Sequence, residues 1–353
     1  MKQPVEQNPS AYTSLSSLGE FRLIEHLTRD FQFLDERVIK GPGDDAAVIY
    51  GGKDKVHVVS TDLLLEGIHF DLAYVPLHLL GYKAIVVNLS DIVAMNAEPY
   101  GVTVSIGMSS RFPVEAVEEI YKGIKAACDQ YQVTLLGGDT TSSQQGLILS
   151  VTAMGEGKEE EMVYRNGAKE NDLICVTGDI GGAYAGFLVL DREKAVYLKS
   201  PDLQPNLTDY EYVVGRQLKP EARLDVIRTL KQQGVQPTSM MDISDGLASE
   251  LHHICHQSQK GCTIYANKLP IDWQTNKVGE EFEIGPVTFA LNGGEDYELL
   301  FTVPLEDFKK VSAIKDISVI GKITEDRDVL QVLLESGQSV DLEAQGWQHF
   351  KKD

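Results

Sequence analysis

The sequence predicts an α+β fold of two domains, an N-terminal α/β half and a C-terminal α+β domain. The chain has 353 residues, of which 42% are hydrophobic and 24% charged, a length that usually corresponds to two domains. Strand-like and helix-like segments mix without the strict β-α-β order of a doubly wound sheet. A cluster of glycine and charged residues at 155–161 has no core pattern and indicates a boundary. We therefore expect a tail at 1–17 and domains at 18–156 and 165–353.

The elements of the N-terminal half follow from residue type and periodicity. Residues 1–17 are rich in Ser, Gln and Pro and predict a disordered tail, so the fold should begin at Gly19. Runs of β-branched residues predict strands, and Pro99 predicts the end of a helix. The expected elements are a strand at 56–60, a helix at 79–95, a strand at 102–106, a helix at 114–131 and strands at 133–136 and 147–154.

The same criteria apply to the C-terminal half. Its expected helices are 183–190, 211–218, 221–233 and 247–255. Its expected strands are 173–176, 262–265, 299–303 and 319–323.

Composition excludes several classes of protein. Lys and Arg number 32 against 53 Asp and Glu, a formal charge of −21, so the chain would repel nucleic acids. No apolar run approaches the roughly 20 residues that cross a bilayer, and the polar N-terminus lacks a secretory signal. Four cysteines without a C-x-x-C pair predict neither a disulfide framework nor a zinc site. We expect a soluble cytoplasmic protein that binds neither nucleic acid nor a membrane.

Five acidic motifs beside glycine or hydroxyl residues carry most of the functional information. They are Gly41-Pro42-Gly43-Asp44-Asp45, Ser60-Thr61-Asp62, Gly137-Gly138-Asp139-Thr140-Thr141, Asp242-Ile243-Ser244-Asp245-Gly246 and Asn292-Gly293-Gly294-Glu295-Asp296. Glycine permits close approach of the backbone to a ligand, and carboxylates beside hydroxyls supply the oxygen ligands that Mg²⁺ prefers. One such motif alone would be interpreted as a turn or a helix cap. Five of them, with adjacent like charges that need cations, predict a metal-phosphate site.

A predicted helix contributes to the same site. Asn88 and Asp91 are three residues apart, so they share one helix face and could reach Ser60, Thr61 and Asp62. An ordinary solvated polar stripe is the alternative. Apolar residues flank both positions, however, which indicates a helix buried nearly all round. A buried carboxylate there needs a partner or a metal.

Other nucleotide-binding signatures are missing. The chain has no P-loop, no dinucleotide fingerprint and no H-R-D or D-F-G string. Any bound nucleotide would therefore be held through metals on the acidic residues. On chemistry alone, His69 and Trp347 would be interpreted as structural residues.

Taken in order, the motifs resemble the thiamine-monophosphate kinase family from Gly19 to the C-terminus. Those that carry the resemblance are Gly19-Glu20-Phe21-x-Leu23-Ile24, Gly43-Asp44-Asp45-Ala46-Ala47, Ser60-Thr61-Asp62, Gly67-x-His69-Phe70, Asn88-Leu89-Ser90-Asp91-Ile92-x-Ala94-Met95, Gly137-Gly138-Asp139-Thr140-Thr141, Arg165-x-Gly167-Ala168-Lys169, Asp242-x-Ser244-Asp245-Gly246-Leu247, Gly293-Gly294-Glu295-Asp296-Tyr297-Glu298-Leu299 and Gly346-Trp347-x-His349-Phe350. Residues 1–17 and the long segment 191–209 depart from the pattern.

The resemblance implies a fold, a reaction and a set of site residues. The family belongs to the aminoimidazole-ribonucleotide-synthetase-like superfamily, whose N-terminal domain binds ATP and Mg²⁺ and forms a homodimer. The implied reaction is transfer of the ATP γ-phosphoryl group to thiamine monophosphate, with several Mg²⁺ ions and without a covalent intermediate. An ionised phosphate acceptor needs no general base, so no catalytic residue is assigned.

The implied Mg²⁺ ligands are Asp45, Ser60, Thr61, Asp62, Asp91, Asp139, Asp242 and Asp245. The implied ATP contacts are Gly138, Arg165, Ser244 and Tyr121 or Gly123, and the implied substrate contacts are His69, Glu295 and Trp347.

Other functions remain open at this stage. A selenophosphate synthetase would need a reactive cysteine near the N-terminus, whereas the first cysteine is Cys128. Another ATP-using superfamily member, similar to aminoimidazole ribonucleotide synthetase, is disfavoured by the His69 and Trp347 motifs. A non-catalytic sensor of metal and nucleotide is the alternative from a different class.

Overall fold

The computed structural model of the protein describes residue 15 and residues 19–345. Nearly all of the predicted tail, and Trp347 with its motif, lie outside these residues. The described elements form two β-sheets with helices packed against them. The prediction of a two-domain α+β fold is confirmed, while the boundaries at 156 and 165 stay a prediction.

The first sheet has six strands in the order β1-β2-β3-β6-β4-β5. Only the β4–β5 pair is parallel among the described pairs of this sheet. Two long helices, α2 and α3, pack together, and α2 lies against β3, β4 and β6. The elements are α1 (Glu20–Thr28), β1 (Val38–Lys40), β2 (Ala47–Gly52), β3 (Lys55–Leu65), α2 (Leu77–Ala94), β4 (Glu98–Met108), α3 (Val114–Tyr131), β5 (Thr134–Ser142) and β6 (Ile148–Lys158).

The second sheet has seven strands in the order β13-β12-β9-β11-β7-β10-β8, with β9 and β12 parallel. Its strands are β7 (Leu173–Thr177), β8 (Ser239–Asp242), β9 (Gly261–Tyr265), β10 (Leu299–Val303), β11 (Ile317–Thr324), β12 (Leu330–Leu333) and β13 (Ser339–Asp341). The accompanying helices are α4 (Gly182–Lys199), α5 (Glu211–Leu218), α6 (Leu224–Gln232), α7 (Leu247–Ser258), α8 (Trp273–Phe282), α9 (Pro286–Asn292) and α10 (Phe308–Val311).

Helix α2 is the central element of the molecule. Every residue from Leu80 to Ser90 is buried, because the first sheet and α3 cover part of the helix while β8 and α5 cover another part. The predicted all-round burial is therefore confirmed. Length and composition alone would let this helix cross a membrane, but most of it is buried inside the protein, as in the core helices of soluble proteins.

Two glycines allow α2 and α3 to pack closely. A Cβ atom on Gly81 would lie 1.9 Å from the carbonyl oxygen of Ile120, and one on Gly123 would lie 1.7 Å from that of His78. No side chain fits at either position without moving a helix. Close helix packing thus explains why residue 123 is a glycine, without the need for a contact to ATP.

Several predicted elements match the structure, and others need correction. The helices at 114–131 and 211–218 and the strand at 299–303 have the predicted bounds. The helix predicted at 183–190 continues to Lys199, through a segment whose exposed apolar residues obscure its periodicity. The predicted boundary cluster is partly a strand, since Gly155–Lys158 completes β6. Gly155 is needed there because a Cβ atom would lie 2.3 Å from Cγ2 of Ile92. Sequence reasoning missed α1, β1, β2, β8, α8, α9, α10, β12 and β13.

Candidate active site

Three carboxylates meet between the two sheets, two of them buried and one, that of Asp91, half-buried. Asp45 lies in the loop before β2, Asp91 near the end of α2 and Asp242 at the end of β8. One oxygen from each lies within 4.8 Å of the other two. Segments that are distant in sequence thus supply an all-oxygen group of the size that holds a divalent cation.

The strand β3 adds hydroxyl and amide contacts to this group. Ser60 Oγ donates to Oδ2 of Asp91 at 2.5 Å and to the carbonyl of Asp45 at 3.1 Å. The Asp62 amide donates to Oδ1 of Asn88 at 3.0 Å. Since alternate strand residues share a face, Ser60 and Asp62 both point towards α2. The predicted proximity of Asn88 and Asp91 to this strand is confirmed.

The carboxylates of the cluster are costly to ionise without a cation. Burial raises the pKa of Asp45 to about 7, although the neighbouring Arg165 guanidinium opposes the change. Burial is also the main reason that the pKa values of Asp62 and Asp242 are raised to about 6. It likewise raises the pKa of Asp91 well above its ordinary value. A bound cation would reverse this preference and favour the charged forms.

Arg165 is the positively charged partner in the cluster. Its Nε and Nη2 both donate to Oδ1 of Asp45, at 3.1 and 2.6 Å, and its backbone amide donates to Oδ1 of Asp44 at 3.1 Å. Lys40 pairs with Oδ2 of Asp44 at 3.0 Å. The residue expected to contact ATP therefore lies beside the carboxylates expected to bind metal.

The donor set fits Mg²⁺. Among the residues described by the structure, Oδ2 of Asp45 is buried without a hydrogen-bond partner. Such an atom is costly in a folded protein unless it has a ligand. The neighbouring carboxylates of Asp91 and Asp242 supply further oxygen atoms, which are the ligands of hard cations.

The loop after β8 is held by a residue that sequence reasoning missed. Oε1 of Glu250, in the first turns of α7, accepts the backbone amides of Ser244, Asp245 and Gly246 at 3.0, 2.7 and 3.3 Å. Glu250 lies four residues after the N-cap Gly246, one position beyond that of the acidic residue in a capping box, so no standard motif identifies it. Glu250 thus fixes the backbone beside Asp242, Ser244 and Asp245.

Glu295 lies in the adjoining loop. Its backbone amide donates to the carbonyl of Ser244 at 2.7 Å, and its φ of 67° is in the left-handed region. Its Oε2 accepts from Lys83 Nζ at 2.8 Å and from Gln217 Nε2 at 2.5 Å. Neither Lys83 nor Gln217 belongs to a motif that signals function, so sequence reasoning missed both.

Buried ionic contacts support the Glu295 loop. Asp296 accepts the amides of Gly181 and Ala183 at the start of α4, at 2.6 and 3.1 Å. Glu298 pairs with Arg216 at 2.9 Å and also with Arg223. The left-handed backbone of Glu295 is therefore fixed by its neighbours.

Other expected site residues lie apart from the cluster within one chain. Thr61 points to the opposite face of β3 from Ser60, and its hydroxyl donates to the carbonyl of Val151 at 3.0 Å. Asp139 is exposed on β5. Across the sheet it pairs with Ser105 on β4, which pairs with Ser150 on β6, which in turn pairs with Leu63 on β3. Three strand spacings separate Asp139 from β3, about 14 Å.

The remaining expected residues have local explanations. A Cβ atom on Gly138 would lie 1.8 Å from the carbonyl oxygen of Val104, so strand packing requires glycine there. Tyr121 is partly buried on α3 and packs against the core. Nδ1 of His69 accepts the Leu65 amide at 3.1 Å. Trp347 lies outside the described residues.

Comparisons with known proteins identify both domains and the family. Residues 43–156 match the AIR synthase related protein, N-terminal domain, and residues 169–332 match the AIR synthase related protein, C-terminal domain. The thiamine-monophosphate kinase of Aquifex aeolicus is 34% identical over 95% of this chain and 99% of its own length. The Bacillus subtilis enzyme is 32% identical over 95% of this chain and 100% of its own length.

A solved structure, described as AaThiL complexed with AMPPCP and TMP, is similar throughout. Its TM-score is 0.80 at 31% identity, over 97% of this chain and 100% of that chain. Identity above 30% over nearly full length, both domain matches and the buried acidic cluster lead to one conclusion. The chain belongs to the thiamine-monophosphate kinase family.

Proposed function

We propose that this protein transfers the γ-phosphoryl group of ATP to thiamine monophosphate, giving thiamine diphosphate. The observation that carries the proposal is the group of Asp45, Asp91 and Asp242, whose oxygens lie within 4.8 Å of one another. Family membership and the ligands of the similar AaThiL complex support the choice of substrates.

Mg²⁺ would be held by this group with Ser60, Asp62 and Asp245. When bound, it would neutralise the phosphate charges and align donor with acceptor, the main requirements of phosphoryl transfer. The residues themselves supply preorganised oxygen atoms, of which those of Asp45 and Asp242 belong to buried residues. The acceptor phosphate is already ionised, so the chain needs no general base.

Arg165 and Ser244 are the proposed contacts to ATP within one chain. Arg165 lies against Asp45, so a phosphate held at the cluster would be within reach of its guanidinium. Ser244 lies on the loop that Glu250 fixes. Gly138 and Tyr121 stay predictions as ATP contacts.

The decisive experiment measures thiamine diphosphate chromatographically from ATP and thiamine monophosphate, with Mg²⁺ and with EDTA. We expect product only with the metal. Equal yields would contradict metal-assisted transfer. Binding of both ligands without any product would favour the sensor, and turnover of an aminoimidazole precursor instead would favour the other superfamily reaction.

Substrate recognition is proposed for Glu295, His69 and Trp347. The aromatic face of Trp347 can attract the cationic thiazolium by about 0.5–2 kcal/mol. Trp347→Ala should raise KM for thiamine monophosphate with little change in KM for ATP. Asp62→Asn should instead lower kcat with both substrates saturating. If Trp347→Ala leaves KM for thiamine monophosphate unchanged, the tryptophan does not contact the substrate and has a packing role.

We also propose a homodimer. Strand β5 is exposed along its whole length and ends the first sheet, and Leu135 and Leu136 are 43% and 51% exposed. Open apolar edges of this kind are usually covered. A second copy could also bring its Asp139 towards the metal cluster, which this chain's Asp139 does not reach. Light scattering across a dilution series tests the proposal, and a stable monomer would contradict it.

A cytoplasmic location is proposed as well. All four cysteines are free and buried, as is usual in reducing compartments.

A further inference from the structure

Lys83 is a buried cation that the proposed reaction does not yet use. It lies on α2, and its side chain is 6% exposed. Its Nζ donates to Oε2 of Glu295 at 2.8 Å and to the carbonyl oxygen of Gln217 at 2.9 Å. A buried ammonium group needs such partners, so the two contacts fix the position of this side chain.

Gln217 completes the arrangement from a different helix, α5. Its Nε2 donates to the same Oε2 of Glu295 at 2.5 Å. Two donors therefore converge on one oxygen, and no hydrogen bond among the described residues uses Oε1. The Glu295 side chain is 27% exposed, so it is accessible to a ligand.

The position of Lys83 on α2 links two parts of the site. Ser90 lies seven residues along the helix, two turns away and on a similar face, and donates to Asp242. One helix face thus contacts both the end of β8, which carries Asp242, and the loop that carries Glu295. Lys83 also balances one negative charge in a strongly acidic region.

We propose that Lys83 is a positioning residue for substrate specificity. Together with Gln217 it fixes Oε2 of Glu295 and leaves Oε1 to accept a hydrogen bond from the exocyclic amine of the aminopyrimidine ring. This inference rests on the proposed function, because it takes thiamine monophosphate as the ligand. Lys83 touches no reacting atom and acts through Glu295.

The test compares two ligands by calorimetry on the full-length protein without ATP. One is thiamine monophosphate, and the other is its analogue that lacks the exocyclic amine. We expect the wild type to prefer thiamine monophosphate by about tenfold, since one buried hydrogen bond distinguishes the two. Lys83→Met and Glu295→Gln should both reduce the preference to about twofold or less. The double variant should resemble Glu295→Gln alone, because both changes remove one interaction.

Lys219→Met is the matched control. Lys219 lies near Gln217 in sequence and over the ring of Tyr82, 5.1 Å from its centroid, and has no role in the proposed site. It should keep the wild-type preference. If Lys83→Met does not fold, Gln217→Leu replaces it, because it removes one donor and leaves the backbone carbonyl that Lys83 contacts.

The outcomes separate the inference from the proposed function. In one outcome, Glu295→Gln abolishes the wild-type preference for thiamine monophosphate, whereas Lys83→Met and Gln217→Leu retain it. That outcome would overturn the role of Lys83 alone. Equal weakening of both ligands in Lys83→Met would also overturn it, since that indicates general structural damage. A wild type without preference, or with a preference that Glu295→Gln retains, would overturn the inference together with the proposed role of Glu295. Absence of thiamine diphosphate formation would contradict only the proposed reaction.

Discussion

Ser90 donates a hydrogen bond to Asp242 across the interface between the two sheets, at 2.5 Å. The next residue, Asp91, accepts its hydrogen bond from Ser60 on the opposite side of α2. Consecutive residues of one helix therefore reach ligands in both halves. The acidic cluster exists only because this helix is covered on both sides.

The pH dependence of stability should reveal the cluster. Because the folded pKa of Asp45 is raised to about 7, and those of Asp62 and Asp242 to about 6, the folded chain holds protons that the unfolded chain has released. The free energy of unfolding without metal should thus fall as pH rises from about 4 to about 7. Melting temperatures in EDTA across this range test the sign, and stability that rises with pH would contradict it. Added Mg²⁺ should flatten the dependence.

Asp91→Asn should separate stability from activity. The amide oxygen can still accept from Ser60, and in alkaline buffer the change removes the cost of ionising a carboxyl whose pKa is raised well above its ordinary value by burial. We expect the melting temperature without metal to rise by about 2–4 °C. With Mg²⁺ and both substrates saturating, kcat should fall at least about tenfold, because a metal ligand is weakened. A lower melting temperature with unchanged kcat would show that Asp91 is a structural acceptor only.

Gly81→Ala should destabilise the protein by about 1–3 kcal/mol, because the new methyl group would collide with the Ile120 carbonyl. Gly215→Ala is the control. Gly215 is also helical, and a Cβ atom there meets nothing within 4 Å, so this change should stabilise by about 0.5–1 kcal/mol. Urea unfolding measures both. Equal effects would contradict the close packing of α2 on α3.

Glu250→Ala should cost about 2–4 kcal/mol, because it leaves three backbone amides without their acceptor. Glu250→Gln should cost about 1 kcal/mol or less, since its amide oxygen can replace Oε1. Ser249→Ala, on the same helix, is a control expected to be near neutral. Urea unfolding again provides the measurement. Similar losses in both Glu250 variants would mean that the charge, and not the accepted amides, stabilises the loop.

Local periodicity predicted one part of the site correctly. The three-residue spacing of Asn88 and Asp91 placed both on one helix face, and their contacts to β3 confirm the proximity. The two-residue period of a strand also separates Ser60 and Asp62 from Thr61. The alternation of side chains along a strand thus predicts that Thr61 faces away from Ser60 and Asp62, as the structure has it.

Contacts between distant segments could not be predicted. Lys83 and Glu295 are 212 residues apart, and nothing local to either position distinguishes this lysine from one on the surface. Strands β1, β12 and β13 have three or four residues, too few for alternation to appear. Tertiary contacts define these parts of the molecule.

The double covering of α2 has a consequence for how the protein is made. Ser90 leaves the ribosome 152 residues before Asp242, and Lys83 leaves 212 residues before Glu295. At typical rates of synthesis, roughly 8–30 s pass between the synthesis of Ser90 and that of Asp242. Throughout that interval α2, a mostly apolar helix, lacks its contact with β8. Molecular chaperones are therefore expected to bind this polypeptide at α2, and a translational pause before Asp242 would prolong the exposure of this helix.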